Sequence, residues 1–330
     1  MSDKKNNPVI YISGPGYSFK NFEPLIGSID QHFQEILSKL CFRNSDGIEV
    51  DIDLQIDLFN HEKVRAYAKT LDKSKGTYKI KMTAGMSYNV WLVSRIFEVN
   101  YDIFPWLRNV KIRDKDDRKL GRKKLLADFA YFICSYAVLL HEISHVVLGH
   151  TDYLYDQYGC SKLNEFSDED EKLSEDKKRV LNAFEADADR QSIEFLMAFM
   201  DSAMGEDGLG MHLRFPTQLA VHEFIIYSLT SLTVFLQQQS AGKRSVHPMP
   251  NERQYIYTSS IISYLEKTKP ELVEVLRYHL PFIGMEAAKK MGLIDASDVS
   301  TVVSTALNLG HIDDVINKSK IRSFQHKPCS

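Results

Sequence analysis

Apolar and polar residues alternate at period two in two short stretches of the first third of the chain. Residues 48–59, IEVDIDLQIDLF, set apolar against mostly acidic side chains, as a strand with one solvated face would. TYKIKMTAG (77–85) repeats the alternation, and MSYNVWLVSRIFEV (86–99) behind it switches to apolar residues at helical spacing. The part up to about Lys111 is therefore expected to hold a small sheet and a helix. From Leu125 onward helical periodicity dominates, with apolar helices around 182–200 and 217–238 and at least two more to about Asn317. Polar stretches at 111–124 (KIRDKDDRKLGRKK), 164–178 (NEFSDEDEKLSEDKK) and 237–251 (QQQSAGKRSVHPMPN) read as loops. No internal repeat is visible.

Composition changes this picture little. A chain of 330 residues, 44% hydrophobic, can bury a large core. With 41 basic and 44 acidic residues the net charge is −3, so no global field draws nucleic acid or an anionic membrane, and neither is expected as a partner. Leu125–Leu148 and Leu219–Leu236 are long and apolar, but each carries ionisable residues in mid-run, which points to buried helices rather than membrane spans. Cys41, Cys134, Cys160 and Cys329 are widely spaced and form no C-x-x-C pair, so neither a disulfide framework nor a thiolate zinc site is expected. The N-terminus lacks the apolar core of a signal peptide, and a cytoplasmic location follows as the expectation. The GPG run at Gly14–Gly16 lacks a Walker lysine and reads as a turn.

The chemistry concentrates in LLHEISHVVLGH (139–150). Residues four apart share one face of a helix, so His141 and His145 can present ring nitrogens to one metal ion. Glu142 then lies beside the open coordination position, where a carboxylate can take a proton from water. The plainer reading, histidines satisfied in a core, leaves buried polar side chains that each cost roughly 1–3 kcal/mol if unpaired.

A catalytic zinc site needs a third protein ligand. His150 is one residue too early for the metzincin spacing and follows the helix stop expected at Gly149. It is read as a cation near a helix end, or a neighbour of the ligands, with direct ligation as the alternative. The stronger candidate is in NAFEADADRQSIEFLMAFM (182–200), where Glu185 and Asp189 share a face. Glu185 would complete a His-His-Glu site, and Asp189 would accept the free ring N–H of a ligand histidine. Asp187 falls on roughly the opposite side of that helix and is read as solvated.

Three segments together, HEISHVVLGH, FEADADRQS and HPMPNERQYIY (247–257), resemble the Lit-like phage-exclusion peptidases within the gluzincin metallopeptidases, a likeness running from about residue 77 to 257. The resemblance implies zinc as cofactor, His141, His145 and Glu185 as its ligands, Glu142 as general base, and Asp189 as the acid behind a ligand. It matches His247 and Arg253 to a segment from which either residue could stabilise an oxyanion. It further implies a protein substrate, elongation factor Tu in that family, and a phage-derived activator.

The expected fold is α+β: a small N-terminal sheet, a zincin-like, mainly helical catalytic core, and a helical C-terminal part. The corresponding regions are 1–120, with 77–85 as the candidate substrate-edge strand, then 121–260 and 261–330. A non-catalytic, zinc-stabilised sensing or interaction module is the alternative function, and Glu142 weighs against it because a purely structural site has no use for a base.

Overall fold

The computed structural model of the chain describes residues 19–57, 64–99, 104, 122–159, 174–203, 215, 217–239, 247–248, 250–290, 313–319 and 321–329. The Gly14–Gly16 run and most of the polar stretches at 111–124 and 164–178 lie outside them. In chain order the elements are α1 (Phe19–Leu37), β1 (Phe42–Arg43), β2 (Asp51–Asp57), β3 (Ala66–Asp72), β4 (Thr77–Thr83), α2 (Ala84–Ser94) and α3 (Ile96–Val99). There follow α4 (Arg122–Val147), α5 (His150–Tyr158), α6 (Glu175–Ala203), α7 (Gln218–Gln239), α8 (Pro250–Thr268), α9 (Pro270–Lys290) and β5 (Lys327–Pro328). Helix α6 thus begins inside the stretch expected to be an acidic loop, with Glu175 and Asp176 in its first turn, where the helix dipole favours acidic side chains.

Strand β4 lies in the middle of a three-stranded sheet, parallel to β2 and antiparallel to β3. This corrects the expectation that 77–85 offers a free edge to a substrate, because neighbours pair with the backbone on both sides of β4. The alternation conceals the position. Tyr78, Ile80 and Met82 enter the core, while Lys79 and Lys81 on the other face pair with Asp53 and Asp57 of β2 at 3.5 and 3.2 Å. The charged face therefore reflects a cross-strand ladder and not an edge. At Thr83 the side-chain oxygen accepts the Met86 N–H and caps α2, so Ala84 and Gly85 are helical rather than extended.

Helix α4 is the centre of the molecule, packed against α2, α3, α6, α7 and the sheet. Its Lys123–Val147 stretch is the one helix among the described residues long and apolar enough to cross a membrane by length and composition, and most of it is buried by the chain itself. A helix apolar all round belongs where neighbours surround it. It ends beside Gly149, whose φ of +76° turns the chain directly into α5. A Cβ on Gly149 would lie 2.1 Å from the Phe324 carbonyl oxygen, so glycine is required there both by conformation and by the close approach of the C-terminal segment.

That segment is fastened at its far end. Strand β5 pairs with β1, and Cys41 and Cys329 form a disulfide with their Cα atoms 5.3 Å apart, which corrects the expectation of no disulfide framework for these two; Cys160 lies outside the described residues. A separation of 288 residues gives spacing no means of revealing the pair. Cys134 is a buried free thiol, pushed up to about 12 by desolvation.

Candidate metal centre

Helices α4 and α6 pack side by side, with Ile143 and Val146 of α4 and Phe184 and Ala188 of α6 buried, and this contact carries a small polar cluster into the core. His141 and His145, one turn apart on α4, meet Glu185 on α6. The Nε2 atoms of the two histidines are 3.0 Å apart, and Glu185 oxygens lie 3.2 Å from His141 Nε2 and 3.5 Å from His145 Nε2. All three residues are at most 4% exposed. Ligands about 2.0–2.1 Å from a tetrahedral zinc lie about 3.4 Å from one another, so this spacing suits such an ion. The buried His-His-Glu group can bind a metal ion.

The outer ring nitrogens support that reading. His141 Nδ1 is 2.9 Å from Asp189 Oδ1, and His145 Nδ1 is 2.9 Å from His150 Nδ1. With Nδ1 as the donor, each ring in its neutral form would turn the Nε2 lone pair inward, toward Glu185. Three acceptors converging on one buried point repel each other unless positive charge sits among them. Burial disfavours a charge on His141, but the Asp189 and Glu185 carboxylates outweigh it and hold the imidazole well above its ordinary range. The same carboxylates favour a divalent cation. Burial would raise Glu185, yet His247, His145 and His141 hold it well below the usual carboxylate range. His145, with burial opposing its charged form more than Glu185 favours it, is lowered to about 4 and stays a neutral donor of electrons.

The downstream H-P…R segment closes the cluster from the side of α8. His247 Nδ1 lies 2.8 Å from Glu185 Oε2, Arg253 Nε 3.2 Å from Asp189 Oδ2, and Arg253 Nη2 3.5 Å from Glu185 Oε2. Arg253 thus bridges the two acidic residues of α6 and balances charge that burial would otherwise make costly. Glu142, next to His141 on α4, is buried as well.

His150 does not join the His-His-Glu group; it stands behind it. Its ring stacks on Phe184 with centroids 4.5 Å apart and planes 5° from parallel, and its Nε2 lies 3.4 Å from Asp187 Oδ2. Asp187 is therefore not solvated, as its place on the helix suggested, but only 3% exposed and gripped by Arg322 through two contacts of 3.0 Å. Burial opposes its charge, and His150 and Arg322 nonetheless lower its pKa to about 2. Neither Asp187 nor Arg322 is recognisable from motif spacing. His141 and His145, by contrast, are one helical turn apart on α4, and Glu185 is one turn from Asp189 on α6.

A model of the family described as Peptidase U49 matches residues 61–261, more than half of the chain, including every residue of the cluster except Arg322. No curated protein and no solved structure matches.

Proposed function

The chain belongs to the Peptidase U49 family, and from that premise we propose that it is a zinc-dependent endopeptidase of the gluzincin type. The observation that carries the proposal is the buried His141–His145–Glu185 group with a carboxylate, Glu142, beside it on the same helix. A zinc ion bound there would polarise the scissile carbonyl and bring the pKa of attacking water to about 7.

The residues of the chain then divide the work. Glu142 takes a proton from the attacking water as its oxygen bonds to the carbonyl carbon, and passes that proton to the amide nitrogen as the C–N bond breaks. Asp189 fixes the tautomer of His141, and Arg253, paired with Asp189 and Glu185, keeps both carboxylates in place. With Arg253 so engaged, His247, which meets Glu185 through Nδ1, is the better candidate for donor to the developing oxyanion. An extended peptide would add to β3, an edge strand among the described residues, which packs against α4.

The likeness to Lit-like peptidases supports a cytosolic protein as substrate, elongation factor Tu foremost, with cleavage switched on by a phage-derived activator. In a reducing cytosol the Cys41–Cys329 pair would form only under oxidation. The test is to incubate the zinc-loaded protein with elongation factor Tu, with and without lysate from phage-infected cells, and to map any cut by mass spectrometry. A zinc-dependent cut that appears with the lysate and vanishes in Glu142→Gln is expected. Equal cutting by the variant, or a purified parent that retains no metal, would overturn the proposal.

A further inference from the structure

Behind the second ligand histidine runs a chain of polar contacts that ends outside the family-matched region. His145 Nε2 faces the metal-binding point; with a metal bound there the ring's proton would be on Nδ1, 2.9 Å from His150 Nδ1. His150 must accept there, which puts its own proton on Nε2, pointing at Asp187 Oδ2. Asp187 receives the guanidinium of Arg322 on both carboxylate oxygens, Nη1 on Oδ2 and Nη2 on Oδ1. Each contact fixes the direction of the next, and Phe184, stacked flat on His150, holds that ring in plane.

We propose that Arg322 is a positioning residue for the metal ligand His145, acting through Asp187 and His150 from a C-terminal strap. The inference rests on the metallopeptidase reading above. The strap, 321–329, is seated for this role. Ile321 is fully buried, and the Phe324 carbonyl closes on Gly149. The His326 backbone N–H donates to the Val147 carbonyl at the end of α4. The His326 ring meets Asp152 at 3.2 Å, and Asp152 also accepts from the hydroxyls of Tyr78 and Thr70. Pairing of β5 with β1 and the Cys41–Cys329 bond hold the far end. Arg322 thus enters from a segment fixed against both the end of the ligand helix and the sheet.

An alternative role for Arg322 is a partly exposed ion pair that supports folding only. Metal geometry separates the two. The parent chain, Arg322→Ala, Arg322→Lys and Asp187→Asn would be compared by zinc affinity in chelator competition, by the visible spectrum of the cobalt-substituted protein, and by melting of the metal-free protein. Loss of the direct outer partner of a ligand, here His150, typically weakens metal binding about 10–100-fold; Asp187→Asn, one link further out, is expected near the lower end of that range. Arg322→Ala, a link beyond that, is expected to weaken zinc roughly three- to tenfold and to shift the cobalt bands, with Arg322→Lys recovering part of both. Metal-free Arg322→Ala, which strips a cationic partner from buried Asp187, should melt lower than the parent, so affinities and spectra are compared at temperatures where both are folded. A parent that binds zinc and cleaves, with Arg322→Ala matching it in affinity and cobalt spectrum, overturns this inference and leaves the peptidase reading standing. So does a loss of affinity fully accounted for by unfolding of the metal-free variant. A parent that binds no metal overturns both.

Discussion

The two histidines of the buried His-His-Glu group sit one turn apart on the same helix but are supported in different ways. His141 leans on Asp189, which belongs to the same helical face as Glu185 and is itself bridged by Arg253. His145 leans on His150, then Asp187, then Arg322, a route that crosses α5, α6 and the C-terminal strap. The first support is compact and lies within short motifs. The second is assembled from segments up to 177 positions apart, from His145 to Arg322. Spacing on a helix reports which residues share a face; it does not report what stands opposite the other face. Asp187 lies about 200° around α6 from Glu185, and that side meets α5 and the strap rather than water.

Substitutions can break this comparison at several depths. Glu185→Ala should have the largest effect, because it removes the carboxylate ligand and leaves two histidines. Elemental analysis is expected to find less than stoichiometric zinc, and full retention would return His150 to candidacy as third ligand. His247→Ala should leave zinc bound while lowering kcat by about 10²–10³, the cost of losing one oxyanion donor. Unchanged kcat would move that role to Arg253. Asp189→Asn should weaken zinc about 10–100-fold. Set beside Asp187→Asn, it measures whether the compact and the extended support are equal; a tenfold or greater difference would make the centre one-sided. Cys41→Ser should change the metal centre least. Against the oxidised parent, in which the disulfide is formed, unpinning the strap at its end is expected to lower stability by about 2–5 kcal/mol, read as a lower melting temperature, with zinc stoichiometry intact; against the reduced parent no difference is expected.

The same contrast governs what the sequence reveals. Period-two alternation locates β2 and β4, and helical periodicity locates α4, α6 and α7, because each pattern is a direct image of one buried face. It does not reveal sheet order. Lys79 and Lys81 look like a solvated edge, yet they pair with Asp53 and Asp57 of the neighbouring strand. Strand β3, AYAKTLD, buries Ala66, Ala68 and Thr70, side chains too small to produce a hydrophobic signal. The His-His-Glu group is legible because helix geometry ties its members in pairs, and a motif match joins the pairs. Cys41–Cys329 and Asp187–Arg322 are not legible, since they depend only on how distant segments dock.

The central claim is that Glu142 acts as a base beside a metal held by His141, His145 and Glu185. Its most direct test is the proteolytic rate of Glu142→Gln against the parent at matched bound zinc, both measured by elemental analysis and by cleavage of a common protein substrate. Full zinc occupancy with a rate lower by at least about 10²–10⁴-fold is predicted. A Glu142→Gln protein that holds its zinc and still cleaves at the parental rate would contradict the account.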